Sequence, residues 1–388
     1  MKSNQYIWQQ PDWPQLTWNA EAILSPLGLC RKLQGRLLHA VSSIGFDLEN
    51  QVQAAFFTEE ILKTSAIEGE SLDVRSVRSS VARKLGLPSA GLPVDRRIDN
   101  LMAVLLDATR NHAEPLTPER LWGWQASLFP TGYSGLYKIQ VGSWRKSPEA
   151  MRVVSGPLGK EIIHYEAPPA DRIDLEMNRF LHWWEENQGA LEGIVRAAIA
   201  HFLFVAIHPF DDGNGRVARA LTDMALAQDD GQRIRYYSLS AQIMADRDDY
   251  YRILEKTSKG SVDVTEWLLW FLNCFKRAVE HSATVLDDVA AKVRFWQQHL
   301  QTPLTERQRK VINRILDEPG GFEGKLTTRK YAAIAKVSPA TAYRELDQLH
   351  QLGVLKRIGK GRSVGYELIY VKEHTDHLTG LKSLRKAW

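Results

Sequence analysis

Twelve consecutive residues, His208 to Arg219, read His-Pro-Phe-Asp-Asp-Gly-Asn-Gly-Arg-Val-Ala-Arg and bring together most of the groups needed to handle phosphate. His208 is the only nearby side chain that titrates near neutrality, so it can take a proton from an attacking hydroxyl. Asp212 offers a hard oxygen ligand, and Mg²⁺ on a nucleotide is usually held by one or two carboxylates plus the phosphates themselves. Gly213 and Gly215 permit a tight turn whose amides converge. Arg216 and Arg219 follow on the first turn of a helix, where both planar forks can face one anion. Taken singly, these residues have plain structural uses as a core histidine, a turn aspartate and a solvated arginine face. Their coincidence in one short segment points to binding a nucleoside triphosphate and activating an alcohol against it. Phe210, an aromatic between polar neighbours, most simply anchors the loop in the core.

The flanking sequence explains how such a loop would be held. Leu191, Ile194, Val195, Ala198, Phe202 and Val205 fall at helical spacing and predict a buried helix running into the motif. Pro209 cannot continue that helix, and Val217, Leu221 and Met224 restart a helical stripe after the glycines. The loop therefore leads into a helix N-terminus, whose unpaired amides and positive dipole end bind phosphate without side-chain charge.

From His208 to Arg219 the sequence resembles, without departure, the signature of Fic-domain proteins: His, Phe, Asp or Glu, Gly-Asn-Gly-Arg and a further Arg. The resemblance implies a mainly α fold, a helical Fic core with a small β-hairpin flap, and AMPylation, the transfer of AMP from ATP to a hydroxyl side chain of a target protein. It further implies His208 as general base on a Ser, Thr or Tyr hydroxyl, of a target or of the protein itself. Asp212 would hold Mg²⁺, Gly213, Asn214 and Gly215 would cradle the α- and β-phosphates, and Arg216 and Arg219 would hold the β- and γ-phosphates. A phosphate-transferring branch carries Lys where this chain has Gly215, so the retained glycine favours nucleotidyl transfer.

Three further segments fit the same resemblance. Ala54 to Ile67 lacks Pro and Gly, places Phe57, Ile61 and Thr64 on one side, and is followed by Gly69, a natural helix stop. Thr64-Ser65-Ala66-Ile67-Glu68-Gly69 is similar to the family's inhibitory helix, which implies that Glu68 takes Arg219 away from the γ-phosphate. Arg152 to Pro157 and Ile162 to Tyr165 read as a hairpin around a turn region at Gly159-Lys160. Preceded by Gly142-Ser143-Trp144-Arg145, this resembles the flap whose edge strand pairs with the target polypeptide, putting Val154, Ser155 and Gly156 at the ATP. In Arg247 to Leu254 the first of two tyrosines, Tyr250, corresponds to the family's adenine neighbour; Ser258 departs from the Asn often found eight residues later.

With 388 residues, 44% hydrophobic and 25% charged, the chain can bury one large core and a smaller one. Cys30 and Cys274 have no CxxC or His/Cys company, which argues against a disulfide scaffold or zinc site and for buried thiols in a reducing compartment. The N-terminus has no continuous apolar stretch of a secretion signal, and the apolar run at Phe202 to Ile207 is far too short to span a bilayer, so cytoplasmic residence without membrane contact is expected. Trp8, Trp13 and Trp18 lie in a stretch of neither helical nor alternating spacing, read as an irregular strap over the core.

Charge is uneven: Gln301 to Trp388 holds seventeen Lys and Arg against nine Asp and Glu, a balance of +8. That segment reads as helices over Leu304 to Leu316 and Thr327 to Ala335, then a third opened by Ser338 as N-cap and Pro339 at N1, then two strands around a basic turn. It resembles a winged helix-turn-helix, in which Ser338, Thr341, Tyr343 and Arg344 would approach bases of duplex DNA and Lys360 and Arg362 its phosphates. The expected organisation is an N-terminal strap and helical region over 1–95 with the inhibitory helix at about 51–69, a Fic catalytic domain over 96–282, a connecting helix over 283–302, a winged helix-turn-helix over 303–372 and a tail over 373–388. Relatives of this architecture are often homodimers. Three functions stay open on these residues: an autoinhibited adenylyltransferase, a hydrolase that removes AMP with Glu68 orienting water, and a DNA-binding regulator whose pocket senses nucleotide.

Overall fold

The computed structural model describes residues 6–42, 46–89, 91–156, 160, 162–316, 324–359 and 364–369, with the side chains of 46–48 excepted. The described residues are mainly helical, with fourteen α-helices and three two-stranded antiparallel hairpins. They divide into two compact units, Met1–His39 with Gln53–Ser282, and Ala40–Val52 with Ala283–Trp388.

The first unit holds α3 (Val74–Lys84), α4 (Arg96–Arg110), α5 (Pro118–Leu128), α6 (Ile173–Glu186), α7 (Gly193–Ile207), α8 (Asn214–Asp230), α9 (Leu239–Ala245) and α10 (Arg247–Ser258), with α1 (Ala20–Ser42) as far as His39, α2 (Phe46–Ile67) from Gln53 and α11 (Thr265–Gln298) as far as Ser282. Two hairpins, β1 (Tyr133–Ser134) with β2 (Tyr137–Lys138) and β3 (Arg152–Ser155) with β4 (Ile162–Glu166), lie between α5 and α6. The centre is the pair α7 and α8. Every residue of α7 except Val205 is buried, as expected of a helix apolar on all sides. Around this pair, Phe57 and Ile61 of α2 pack with Val77 and Val81 of α3 and with Ile98, Leu101, Met102 and Leu105 of α4. The tryptophan-rich strap runs over the core: Trp13 is buried with its indole N–H donating to Glu176 Oε2 at 2.8 Å, and Trp8 donates to the Glu166 carbonyl at 2.8 Å.

The second unit contains α12 (Glu306–Leu316), α13 (Thr328–Ala335), α14 (Pro339–Gln351) and the hairpin β5 (Leu355–Ile358) with β6 (Gly365–Leu368). Val311, Ile312, Tyr331, Ala342, Leu346 and Leu355 are among its fully buried residues. Ser338 caps α14 by accepting from the Thr341 amide at 3.2 Å, with Pro339 at the first helical position.

Two elements differ from their sequence reading. α2 begins at Phe46 rather than near residue 51, and residues 283–298 continue α11 from Thr265 instead of forming a separate connecting helix. No Pro or Gly interrupts 265–298, so nothing in the backbone stops the helix before Gln298. Cys30 and Cys274 are both buried free thiols.

Candidate active site

α7 ends at Ile207, and His208 closes it as a C-cap in the left-handed region at φ 53°, its N–H still donating to the Phe204 carbonyl at 3.0 Å. A non-glycine residue there is strained and must be held by its surroundings. Arg145 does the holding. Its side chain is buried and its Nε donates to the His208 carbonyl at 2.8 Å; its amide donates to the Pro209 carbonyl at 2.9 Å, and its Nη2 donates to the Pro168 carbonyl. In the sequence Arg145 is only a residue before the flap; nothing around it announces contacts with residues 63 and 23 positions away.

The loop is then fixed from within. Phe210 is fully buried, its ring centroid 5.1 Å from that of Trp144. Asn214 brackets it, accepting from the Phe210 amide at 3.0 Å and donating to its carbonyl at 2.8 Å, so the Asn214 side chain braces the loop while its backbone opens α8. Gly213 sits at φ 91°, and a Cβ there would fall 2.9 Å from the Phe129 ring. The first turn of α8 therefore presents its unpaired amides beside His208.

His208 is half-buried with Nδ1 3.2 Å from the Val205 carbonyl oxygen. That contact makes Nδ1 the protonated nitrogen and leaves the lone pair on Nε2. Burial pulls its pKa down to about 4, with the Arg145 charge acting in the same direction and the Val205 carbonyl opposing. The imidazole is neutral at pH 7, the state a general base requires.

Both arginines are met by carboxylates. Arg219, buried, donates through Nη2 to Glu68 Oε1 at 2.7 Å and through Nε to Thr64 Oγ1 at 2.7 Å. Burial alone would raise the Glu68 carboxyl; the Arg219 guanidinium outweighs it and holds Glu68 below the ordinary carboxylate range. Arg216 donates to Glu70 Oε1 at 3.2 Å and lies 4.8 Å over the Phe129 ring. Its buried Nε has no hydrogen-bond partner among the described residues. Gly215 leaves room for this arrangement, since a Cβ there would fall 2.4 Å from Glu68 Oε1. The turn at 68–70 thus presents carboxylate oxygens to the two forks that match phosphate.

Asp212 Oδ1 accepts from the Gly213 amide at 2.5 Å and its Oδ2 accepts from the Ser134 hydroxyl of β1, while the side chain stays 39% exposed. Among the described residues no group of three or more His, Cys, Asp or Glu is placed to hold a metal. One half-exposed carboxylate is the donor set expected where phosphates complete the coordination of Mg²⁺.

The hairpin β3–β4 pairs Arg152 with Glu166 and Val153 with Tyr165, then shifts register so that Val154 faces Ile163 and Ser155 faces Ile162. The shift turns Val154 and Ile163 outward, 47% and 41% exposed, onto a cavity of about 650 Å³ also lined by Lys138, Ile139, Met151 and Asp211. Gly156 begins the turn at φ 97°; Pro157 and Gly159 lie outside the described residues. Ser155 Oγ lies 2.6 Å from His164 Nε2, and His164 Nδ1 lies 2.7 Å from Glu255 Oε2, tying the hairpin to α10.

Tyr250, the expected adenine neighbour, lies in the core. It is 2% exposed, its hydroxyl 2.8 Å from His201 Nε2 and its ring packed against Trp267 and Trp270. The buried hydroxyl needs a partner and finds one in the core. Tyr251, 39% exposed and 3.4 Å from the Ile67 carbonyl at the end of α2, is the tyrosine of the pair at the surface. In the second unit Tyr343 is 55% exposed and Arg344 is exposed, while the Ser338 and Thr341 hydroxyls, 3.0 Å apart, serve the helix cap. Lys360 and Arg362 lie outside the described residues.

Residues 115–226 match the profile of the Fic/DOC family, and residues 6–87 match a domain of unknown function, DUF4172. Over 248 residues the chain is 22% identical to the protein adenylyltransferase Fic of Nematostella vectensis, covering 63% of this chain and 52% of that protein. Over 247 residues it is 32% identical to the protein adenylyltransferase Fic of Aedes aegypti, covering 63% and 45%. The chain thus spans about half the length of these curated relatives. A Fic family protein from Desulfovibrio desulfuricans G20 shares the fold at a TM-score of 0.53 and 20% identity, covering 92% of this chain and 98% of that one. A Fic domain containing signaling protein from Bacteroides thetaiotaomicron matches at 0.50 and 16%, covering 66% and 96%.

Proposed function

We propose, from the premise that this chain carries a Fic domain, that it is a protein adenylyltransferase held in an inhibited state by Glu68. The observation that carries the reading is the seating of Glu68 and Glu70 on Arg219 and Arg216, beside an imidazole whose lone pair is on Nε2. In the released state the triphosphate takes those guanidinium groups and the first-turn amides of α8. A target hydroxyl oxygen then attacks the α-phosphorus while its proton passes to His208 Nε2; the bridging bond between α- and β-phosphates breaks and pyrophosphate leaves. Mg²⁺ arriving with the nucleotide would be held by Asp212 and would neutralise phosphate charge. The free edge of β3, with Val154 and Ile163 turned onto the neighbouring cavity, suits an extended target segment.

The test is transfer of label from ATP to protein. Label at the α-phosphate should move and label at the γ-phosphate should not, with transfer lost in His208→Ala and raised in Glu68→Gly. Movement of γ-label would make the protein a kinase and end this reading. Removal of AMP is the second reading: the Glu68 carboxylate, one of the charges that face His208, would there orient a water instead of displacing the γ-phosphate. An AMPylated target cleared by the intact protein and not by Glu68→Gly would establish it.

For the C-terminal unit, duplex DNA is the partner its charge favours. From Ser338 to Arg344 the helix carries no acidic side chain, and Glu345 turns inward to accept from the Tyr331 hydroxyl at 2.7 Å and from Arg307 Nε at 2.8 Å. The exposed N-terminal half is left with Tyr343 and Arg344. Binding that weakens steeply with salt would support this role, and no binding at low salt would end it.

A further inference from the structure

The inhibitory contact is one of three made by a single stripe of α2. Glu60 and Thr64 are four apart on one face of α2, and Glu68 follows four further on, one residue past the helix end, where its amide donates to the Ser65 carbonyl at 3.1 Å. Thr64 and Glu68 hold Arg219. Glu60, 8% exposed, reaches a different element: its Oε2 accepts from the Ser238 hydroxyl at 2.6 Å and from the Ser240 amide at 3.4 Å, and its Oε1 accepts from the Ser240 hydroxyl. Ser238 is itself the N-cap of α9, accepting from the Ala241 amide at 2.9 Å. The segment that follows, α10, returns to the end of α2, where Arg247 Nε donates to the Ile67 carbonyl at 3.2 Å.

We propose that Glu60 is the positioning residue that seats Glu68 on Arg219, by locking the rotation and axial position of α2 against the start of α9. This deepens the regulatory part of the function proposed above and rests on it. The apolar contacts of α2, through Phe57 and Ile61 to α3 and α4, hold the helix in the core but are non-directional. A buried carboxylate gripped by two hydroxyls and an amide is directional, and it fixes which residues of α2 face α8. Ile67, the last residue of α2, lies roughly 10 Å further along the helix at 1.5 Å per residue, so a rotation at Glu60 is carried by the helix to the turn that holds Glu68. Asp223, one turn beyond Arg219 on α8, is also buried. Burial pushes both the Glu60 and Asp223 carboxyls up and the charge of Glu60 adds to the effect on Asp223, so this acidic cluster lies within electrostatic reach of Arg219.

The test is a cycle on the full chain. Glu60→Ala should raise AMP transfer about tenfold, within the range of coupling between linked sites, and should add nothing when combined with Glu68→Gly. Glu60→Gln, which keeps a hydrogen-bonding side chain of the same shape, should stay near the unsubstituted protein. Ser240→Ala removes one of the two hydroxyls from the other side and should act in the same direction as Glu60→Ala to a smaller extent, which covers the case of a Glu60→Ala chain that does not fold. Amide hydrogen exchange at residues 65–70 reads the seat without any catalysis: it should quicken in Glu60→Ala and Ser240→Ala and not in Glu60→Gln. Unchanged exchange, or a loss of transfer whether Glu60→Ala is made alone or together with Glu68→Gly, overturns the proposal. Quickened exchange with no transfer from any variant, Glu68→Gly included, would leave Glu60 as the seat and overturn the adenylyltransferase reading instead.

Discussion

At the scale of single residues, the loop divides its labour between side chains that react and side chains that hold. In the proposed reaction His208 belongs to the first group, and it is strained at φ 53°; Arg145 and Asn214 hold the loop. Because burial pulls His208 down to about 4, the base is neutral from pH 7 down to that value, and protonation removes it only below. The acid limb of AMP transfer should therefore lie near pH 4, and a limb near 6.5, the ordinary histidine value, would show the imidazole to be solvated. Asn214→Ala leaves the Phe210 amide and carbonyl without partners in a buried loop. It should cost about 2 kcal/mol of unfolding free energy in denaturant titrations, and a cost near zero would mean that water replaces the brace.

At the scale of elements, the end of α2 and α8 meet over an ion pair whose arginine is buried and whose carboxylate is partly exposed, and such pairs behave asymmetrically. Removing one partner leaves the other as an uncompensated charge, whereas filling the vacated place restores it. Glu68→Ala should therefore lower the thermal midpoint of the nucleotide-free protein, by about 1 kcal/mol in stability because the carboxylate is partly exposed and Thr64 still holds Arg219, and ATP with Mg²⁺ should raise it more in that variant than in the unsubstituted chain. Equal shifts in both would mean that Arg219 is not where the triphosphate sits. The inward turn of Tyr250 belongs to this scale too: on α10 only one tyrosine of an adjacent pair can face the core, and His201 of α7 supplies the hydroxyl partner that selects it.

At the scale of the whole molecule, two units each have their own buried core, one built on α7 and α8 and one on α12 to α14 with the β5–β6 hairpin. Among the described residues no helix is long and apolar enough to cross a membrane. The positive balance lies in the segment that holds the second core, and the motif for phosphate chemistry lies in the first. Tyr343→Ala with Arg344→Ala should therefore weaken binding to duplex DNA while AMP transfer in a Glu68→Gly background stays unchanged. A fall in transfer would show that the second unit acts on the first.

What the sequence determined by itself was whatever local rules govern: a buried helix stopped by Pro209, a turn that needs Gly213 at φ 91°, arginines on the first turn of the next helix, a stop at Gly69 and a Ser-Pro cap on α14. These depend on neighbours a few positions apart, so spacing and residue type suffice to read them. Glu68 was named from the sequence only through a family resemblance, because its partner Arg219 lies 151 positions away. The contacts of Arg145 with the 208–209 loop, the grip of Ser238 and Ser240 on Glu60 and the burial of Tyr250 were decided by tertiary packing alone. A buried polar side chain must find its hydrogen-bond partner wherever the fold brings one, and no periodicity along the chain records which distant element that is.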